Sequence, residues 1–268
     1  MPVFAHSLEI RTQAISMLRD GVRNADVARK LKVSKGTIGY WKHQDRWGAD
    51  PTPGAPDRRR SYCPRCAPDD LVLDHQAYSY LLGLYLGDGC ISNGAAMRQK
   101  GVYILGIACA DAWPGLMDEC ESAIRAVMPR NQVQRVQRPG MHEVKAYSKH
   151  WPCLFPQHGP GRKHEREIVL EAWQQEIIDE FPKEFIRGLI HSDGCRVLNS
   201  AVRTRNGKTT RCFYSRYHFT NESVHIRDLF TDTLDQLEIE WRYNRHNCIS
   251  VARRESVRLL DQFVGPKY

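Results

Sequence analysis

The feature that most constrains the fold of this chain is a short motif that occurs twice. LLGLYLGDG spans residues 81–89 and FIRGLIHSDG spans residues 185–194, so the aspartates Asp88 and Asp193 lie 105 residues apart. Both copies carry a glycine five residues before the aspartate and a small residue directly before it. A single apolar helix that ends in Asp-Gly is usually only a helix end, but two matching copies predict a repeated structural unit.

The small residues predict how the two copies pack. Residues four apart lie on one helix face, so Gly83 and Gly87 form one smooth stripe, and Gly188 and Ser192 form another. Such stripes allow two helix backbones to approach closely. The two terminal aspartates would then emerge together, where they repel each other and the negative ends of the helix dipoles. Divalent cations relieve that conflict, since Mg²⁺ prefers hard oxygen ligands.

The two stretches, together with the segment after each of them, resemble the motifs of the LAGLIDADG homing endonucleases over about residues 71–266. The resemblance implies an α+β fold, in which a pseudo-two-fold pair of αββαββα repeats forms a DNA-binding β-saddle. Runs of the expected type come after each motif: an extended run at 103–110 before a helical one at 116–127, and a second pair at 211–221 and 226–237. Two copies in one chain imply a monomer that reads a long, asymmetric site in double-stranded DNA.

The resemblance also implies a site-specific double-strand DNA endonuclease that hydrolyses phosphodiester bonds with Mg²⁺ or Mn²⁺. It assigns the metal to the paired aspartates Asp88 and Asp193, with Gly87 and Ser192 as further members of the metal site. The alternative is a non-cleaving, sequence-specific transcriptional regulator, because some bacterial regulators pair this domain with a helix-turn-helix and have lost the carboxylates. Both carboxylates are present here, which favours the enzyme.

The family also keeps basic side chains near the metals. The catalytic candidates are Lys145 or Lys149, with Arg253 or Arg254 as counterparts in the second copy. Position six of the motif is Leu86 in one copy and His191 in the other, so the two centres need not be equally active.

The N-terminal 48 residues predict a small all-α domain of the helix-turn-helix type. The predicted helices are 7–18, 24–31 and 34–44, with Ser7 and Ser34 as N-caps, and Ile38 and Trp41 in the core. In the homeodomain-like arrangement that this resembles, the third helix enters the major groove. The residues of that helix left for DNA are Lys35, Thr37, Tyr40 and Lys42. A three-helix bundle with a solvated basic face is the alternative.

Residues 49–70 predict a basic, proline-rich linker that includes Cys63-x2-Cys66. This spacing is half of a Zn²⁺ site. The sequence does not choose the other two ligands, for which the candidates are His75, Cys153, His158 and His164, and two free thiols are the alternative. Beyond the linker, the motifs divide the chain into a first repeat at 71–160, and a connecting helix with the second repeat at 161–268.

The charge of the chain indicates a polyanionic partner. Its formal net charge is +8 and its pI is about 9.1, and nucleic acid is a common partner of basic proteins. Alternation along a strand puts one face on the core and the other on DNA. The candidate DNA-binding residues of the strands, around a predicted Asn206-Gly207 hairpin turn, are Arg196, Arg203, Arg205, Lys208, Arg211 and Arg216 in the second copy, and Arg98, Gln99 and Lys100 in the first. A solvated charged sheet is the alternative.

The sequence also predicts where the protein acts. No basic segment followed by an apolar core begins the chain, and no 18 apolar residues run together, so we expect neither a signal peptide nor a membrane span. Nine scattered cysteines suit a reducing compartment. We expect a cytoplasmic protein that associates with the bacterial nucleoid.

Overall fold

The computed structural model describes residues 6–46, 63–66, 71–94, 98, 100–205 and 208–268. The chain separates into two compact units, Met1–Arg60 and Ser61–Tyr268. In the described ranges no helix is long and apolar enough to cross a membrane.

The N-terminal unit contains three helices: α1 (Leu8–Arg19), α2 (Asn24–Leu31) and α3 (Lys35–Arg46). The Ser7 hydroxyl accepts a hydrogen bond from the Ile10 amide, and Ser34 accepts one from the Thr37 amide, so both predicted N-caps are confirmed. Ile38 and Trp41 are buried as predicted, in a core that they form with Ala14, Ile15, Leu18, Val27 and Val33.

The second unit begins its first repeat with a helix that ends in the first Asp-Gly. The elements are α4 (His75–Asp88), β1 (Gly89–Ser92), β2 (Tyr103–Ala110), α5 (Pro114–Val127), β3 (Val133–Arg138) and β4 (Met141–Ser148). The strands form an antiparallel sheet in the order β1-β2-β4-β3. A short helix α6 (Trp151–Leu154), a 3₁₀ turn (Lys163–Glu165) and α7 (Ala172–Glu180) connect the repeats.

The second repeat has the same order of elements. They are α8 (Pro182–Asp193), β5 (Gly194–Arg205), β6 (Lys208–Thr220), α9 (Val224–Gln236), β7 (Arg242–Arg245), β8 (Cys248–Val251) and α10 (Arg254–Asp261). Its antiparallel sheet has the order β5-β6-β8-β7, which matches the first sheet position by position. The predicted α+β class with two equivalent repeats is therefore confirmed.

One face of each sheet packs against helices in a shared hydrophobic core. Leu105, Ile107 and Val144 contribute to it from the first sheet, and Phe219 of the second stacks on Phe230 of α9, with ring centroids 4.2 Å apart. Strand residues that alternate with these point away from the helices. We call that side of each sheet the open face; it carries Gly106 and Lys145 in the first sheet, and Arg216 and His218 in the second.

Candidate functional site

The two motif helices touch along their small residues. A Cβ added to Gly83 would lie 2.6 Å from the Phe185 carbonyl oxygen and 2.9 Å from the Gly188 Cα, and one added to Gly87 would overlap the Ser192 side chain. Larger residues would force the backbones apart. The predicted packing of α4 against α8 along these stripes is confirmed, and it makes the two helices end side by side.

The two aspartates consequently lie at one place in the molecule. Asp193 Oδ2 would be 3.2 Å from a Cβ on Gly87, the residue before Asp88. The Asn221 amide donates a hydrogen bond to Asp193 Oδ2 at 2.6 Å, so the side chain directly after β6 orients this carboxylate. The predicted pairing of the carboxylates is therefore present in the structure.

Two lysines that the sequence did not single out lie at the same helix ends. Lys163 Nζ donates to the carbonyl oxygens of Tyr85, Gly87 and Gly89 at 2.5, 2.6 and 2.8 Å. Lys267 Nζ donates to the carbonyls of Ser192 and Gly194 at 3.2 and 2.6 Å. Each ammonium thus occupies the C-terminal end of one motif helix, where the helix dipole is negative.

These lysines change the electrostatic account drawn from the sequence. The sequence predicts a divalent cation as the compensation for two carboxylates at two helix ends, and in the structure the protein provides two positive charges of its own. The ammonium groups also occupy the main-chain oxygens of Gly87 and Ser192, the residues assigned to the metal site with the aspartates. Lys163 and Lys267 belong to no motif. Because they are far along the chain from the aspartates, the sequence does not predict that they lie beside them.

The charges at this junction perturb one another. Desolvation and the neighbouring Asp193 carboxylate raise the pKa of Asp88 to about 6, although part of its side chain reaches solvent. Burial also raises the pKa of Asp193, against the opposing effects of Asn221 and Lys163. Burial lowers the pKa of Lys163 to about 8 and lowers that of Lys267. The junction therefore holds four ionisable groups whose charged forms are all disfavoured by burial.

The donors that a metal would meet here are all oxygens: two carboxylates and the main-chain carbonyls that precede them. This set suits a hard divalent cation such as Mg²⁺ or Mn²⁺, so the residues present fit the metal that the resemblance implies. A metal that used the Gly87 or Ser192 carbonyl would take the place of a lysine ammonium there.

The sheets next to the two aspartates differ between the repeats. In the first, Lys145 of β4 pairs in register with Gly106, which pairs with Cys90, two residues beyond Asp88. Lys145 Nζ is 2.9 Å from Glu143 Oε2. The equivalent row of the second repeat contains Cys195, His218 and Ser250.

The strand pairing shows which residue of the second repeat is equivalent to Lys145, and it is neither Arg253 nor Arg254, the two that were expected. Ser250 occupies the equivalent position and is buried, whereas Arg253 lies beyond β8 and pairs with Glu240 and Glu255. Arg254 begins α10. Lys149 is exposed just after β4. Strand register depends on pairings across the sheet, which one sequence does not reveal.

His191, at position six of the second motif, is part of the core. Tyr80 hydroxyl lies 2.9 Å from its Nδ1, and its Nε2 donates to the Val264 carbonyl at 2.8 Å. Burial and Arg187 lower its pKa to about 4, against the opposing charge of Glu119. Leu86 is fully buried as well. The two motifs therefore differ at position six in how the side chain packs, and neither side chain is exposed to react.

The basic strand residues do not all share one face. Arg216 lies on the open face, where its guanidinium donates to the Tyr214 hydroxyl at 3.2 Å, and its Nε has no hydrogen-bond partner among the described residues. Arg196 and Arg211 alternate with it and lie on the opposite side, that of Tyr217. Arg196 is held there by Asp261, at 2.8 and 2.9 Å, so its placement contradicts the expectation of a DNA-facing residue.

The remaining candidate DNA-binding residues of the strands are either exposed or outside the part of the chain that the structure describes. Arg98 and Lys100 are exposed. Gln99 and the Asn206-Gly207 turn lie outside the described residues, and β5 and β6 pair up to Arg205 and Lys208 on either side of that turn. The side chains of Arg203, Arg205 and Lys208 also lie outside the described part of the structure.

The predicted DNA-contacting residues of α3 lie on its outer side. Lys35, Tyr40 and Lys42 are exposed, and Thr37 is half-buried. Lys42 Nζ lies 3.5 Å from Asn24 Oδ1 of α2, and the Thr37 hydroxyl bonds to Ser34. The three predicted helices are present, while the helix-turn-helix assignment and the DNA contacts stay predictions.

The Cys63-x2-Cys66 pair has two partners in the structure. Cys63, Cys66, His150 and Cys153 place their ligand atoms within 4.8 Å of one another. The other candidates lie elsewhere: His75 contacts Glu180, His158 contacts the Phe155 carbonyl, and His164 approaches Glu165. His150 was missed, although His150-x2-Cys153 repeats the spacing of the first pair and could have identified it.

Motif, repeat and sheet order together agree with the two-repeat α+β fold that the resemblance to the LAGLIDADG proteins implies. No protein-family model matches the chain, and no curated protein matches it. Among solved structures, mesophilic variants of the homing endonuclease I-DmoI are similar at 15% identity, over 72% of this chain and 97% of theirs, with a TM-score of 0.46.

Two further solved structures have comparable similarity. I-DmoI in complex with DNA and Mn matches at 16% identity, over 72% of this chain and 99% of that one, with a TM-score of 0.45. The N-terminal LAGLIDADG domain of DUF199/WhiA matches at 11% identity, over 72% of this chain and 83% of that one, with a TM-score of 0.43.

Proposed function

We propose that this protein is a site-specific, divalent-metal-dependent double-strand DNA endonuclease. The observation that carries the proposal is the pairing of Asp88 with Asp193 at the ends of two helices in backbone contact. The two carboxylates belong to equivalent repeats, so that a duplex lying across the junction would present one strand to each. Such a pair suits cleavage of two opposed phosphodiester bonds.

The two aspartates, with the main-chain carbonyls of Gly87 and Ser192, would hold Mg²⁺ or Mn²⁺. A divalent metal bound there supplies Lewis-acid activation of water and stabilises the charge that develops on the phosphate. The chain itself fixes the carboxylates: the glycine contacts hold α4 against α8, and Asn221 orients Asp193. Lys163 and Lys267 hold the helix ends through the Gly87 and Ser192 carbonyls, and these are the hydrogen bonds that they would give up to a metal held there.

The open faces of the two sheets would bind the DNA. Arg216 supports this: its guanidinium is buried, and its Nε has no partner in the described part of the chain, so it gains one when a phosphate or a base acceptor approaches. We assign the exposed Arg98 and Lys100 to the same role. The binding site would be long and asymmetric, because one monomer presents two unequal repeats.

The N-terminal unit would extend the contact with DNA. We propose that residues 1–48 bind through the outer side of α3, with Lys35, Thr37, Tyr40 and Lys42. Residues 49–70 would link this unit to the first repeat at 71–160, and residues 161–268 would provide the connecting helix and the second repeat. We expect such a protein to act in the cytoplasm, in association with the nucleoid.

A second function, a DNA-binding regulator that does not cut, is favoured by the two lysines. Their ammonium groups satisfy the helix ends without a metal. In that case the aspartates would be structural, and the binding of DNA would be independent of divalent cations.

Cleavage of a complex DNA library separates the two functions. In Mg²⁺ we expect double-strand breaks with short 3′ overhangs at a recurrent sequence, and in Ca²⁺ we test binding to the same sequence. Asp88→Asn and Asp193→Asn should each retain binding and remove or unbalance cleavage. Asp118→Asn, an exposed carboxylate on α5 that contacts Arg135, is the matched control and should cut normally. Tight specific binding without cleavage in any divalent metal would support the regulator instead.

A further inference from the structure

A cluster of sulfur and nitrogen ligands lies outside the aspartate junction. Cys66 Sγ is 3.5 Å from His150 Nδ1 and 3.5 Å from Cys153 Sγ, and Cys153 Sγ is 3.7 Å from the same histidine nitrogen. Cys63 completes the group, with all four ligand atoms within 4.8 Å of one another. None of the four cysteine and histidine side chains takes part in the proposed cleavage.

These separations match a tetrahedral metal site. With Zn–S bonds of about 2.3 Å and a Zn–N bond of about 2.0 Å, a regular tetrahedron places sulfurs about 3.8 Å apart and sulfur about 3.5 Å from nitrogen. The distances among Cys66, His150 and Cys153 fall close to both values. Cys63 and Cys66 come from one chain segment and His150 and Cys153 from another, and their ligand atoms converge on one point.

Local structure holds both pairs of ligands in place. Residues 64–66 form a turn between the two cysteines. On the other side, His150 directly precedes the short helix α6, and the Cys153 amide donates to the His150 carbonyl at 3.0 Å. Trp151 anchors that helix: it is fully buried, and its indole donates to the Ala146 carbonyl at 2.8 Å.

We propose that Cys63, Cys66, His150 and Cys153 bind one structural Zn²⁺. Three thiolates and one imidazole in a tetrahedron select zinc among the common metals. All four positions are filled by protein, so the site is closed and has no room for a substrate. The metal would tie the Cys63–Cys66 part of the linker segment to the end of the first sheet, which fixes the start of the second unit.

The first test is the metal content of the full-length protein purified without added metal or chelator. We expect about one zinc ion per chain. Cys66→Ser, which changes the exposed cysteine of the cluster, should lose most of this zinc. Cys90→Ser, at an exposed cysteine outside the cluster, is the matched control and should keep it. Wild-type zinc content near zero would overturn the proposal, as would equal zinc in both variants.

Spectroscopy provides a second readout that does not depend on a variant's folding. X-ray absorption at the zinc edge of the wild type should fit three sulfur neighbours at about 2.3 Å and one nitrogen at about 2.0 Å. Replacement by Co²⁺ should give the visible absorption of a tetrahedral thiolate complex. A zinc shell of oxygen and nitrogen alone would contradict the assignment. These results are independent of DNA cleavage, which depends on the two aspartates.

Discussion

A single residue, Lys163, explains how the helix α4 is stable although it ends in a carboxylate. Its ammonium satisfies the Tyr85, Gly87 and Gly89 carbonyls, which would otherwise be left at the negative end of α4 next to Asp88. Lys267 performs the same task for α8 with two carbonyls. Because charged donors form stronger hydrogen bonds than neutral ones, we expect these two lysines to contribute to folding whether or not the protein cuts DNA.

Lys163→Met tests this contribution. Hydrogen bonds to charged groups are worth about 1.5–3 kcal/mol each, and the variant also relieves the cost of burying an amine, so we expect the free energy of unfolding to fall by about 2–3 kcal/mol. Urea unfolding followed by circular dichroism measures the change. Lys267→Met should cost less, since it frees two carbonyls rather than three.

Lys149→Met is the control, because Lys149 is exposed, and it should change stability by less than about 0.5 kcal/mol. If Lys163→Met were as stable as this control, Lys163 would have no capping role.

The predictability of single residues from the sequence depended on whether they belong to a local pattern. Asp88 and Asp193 are marked by a repeated motif, and Cys63 with Cys66 by a spacing. Lys163 and Lys267 contact carbonyls that lie 73 to 78 positions away along the chain, and nothing near them in the sequence indicates that contact. Only the folded arrangement of the repeats brings them there.

At the scale of elements, the contact between α4 and α8 positions everything at the junction. Gly83 and Gly188 face each other across it, and a Cβ on Gly188 would collide with the Tyr80 carbonyl and lie 3.0 Å from the Gly83 Cα. The neighbouring atoms are backbone, which cannot move aside as a side chain would. A single methyl group must therefore separate the helices and, with them, the two carboxylates.

Gly188→Ala is accordingly expected to destabilise the protein despite the better helix propensity of alanine. Overpacking typically costs about 1–3 kcal/mol, and contact with backbone atoms places Gly188→Ala at the upper end of that range. Less the gain of about 1 kcal/mol from propensity, we expect a net loss of about 2 kcal/mol in urea unfolding. Gly94→Ala is the control, since Gly94 has no positive φ and no described residue has an atom within 4 Å of its Cβ position.

Gly188→Ala should also reduce cleavage more than DNA binding, because it shifts the aspartates and not the open faces. Equal stability of Gly188→Ala and Gly94→Ala would mean that the helices can separate freely at this point.

Elements were more predictable than the register that joins them. Two glycine-striped helices followed by strand and helix runs were sufficient for the class of fold, because the apolar patterns are local. The pairing of Lys145 with Gly106, and the placement of Ser250 at the equivalent position, depend on which strand residues face each other. Arg196 illustrates the consequence. Because side chains alternate between the two faces of a strand, a shift of one residue decides whether Arg196 lies on the open face or contacts Asp261, as it does.

On the scale of the whole molecule, the two repeats share one strand order but differ in charge beside the aspartates. The row next to Asp88 contains Lys145, paired with Glu143, while the row next to Asp193 contains His218, Ser250 and the neighbouring Cys248. Burial and the neighbouring Arg216 lower the pKa of His218, which disfavours its charged form. A duplex across the junction would meet Lys145 beside one strand and Ser250 at the equivalent position beside the other.

If the protein cuts DNA, this asymmetry predicts unequal rates for the two strands. A supercoiled plasmid that contains the target should pass through a nicked intermediate before it becomes linear, and strand-specific end labelling should identify one preferred strand. Lys145→Ser, which copies Ser250 into the first repeat, should slow one of the two cuts by at least about tenfold, the order expected when a charged group beside a reacting phosphate is removed. Lys183→Ser, at an exposed lysine of α8 outside both sheets, should leave both rates unchanged. Equal slowing of both cuts by Lys145→Ser would instead indicate a role in binding the duplex as a whole, since a side chain in one repeat can select a strand only through contact with that strand's phosphate.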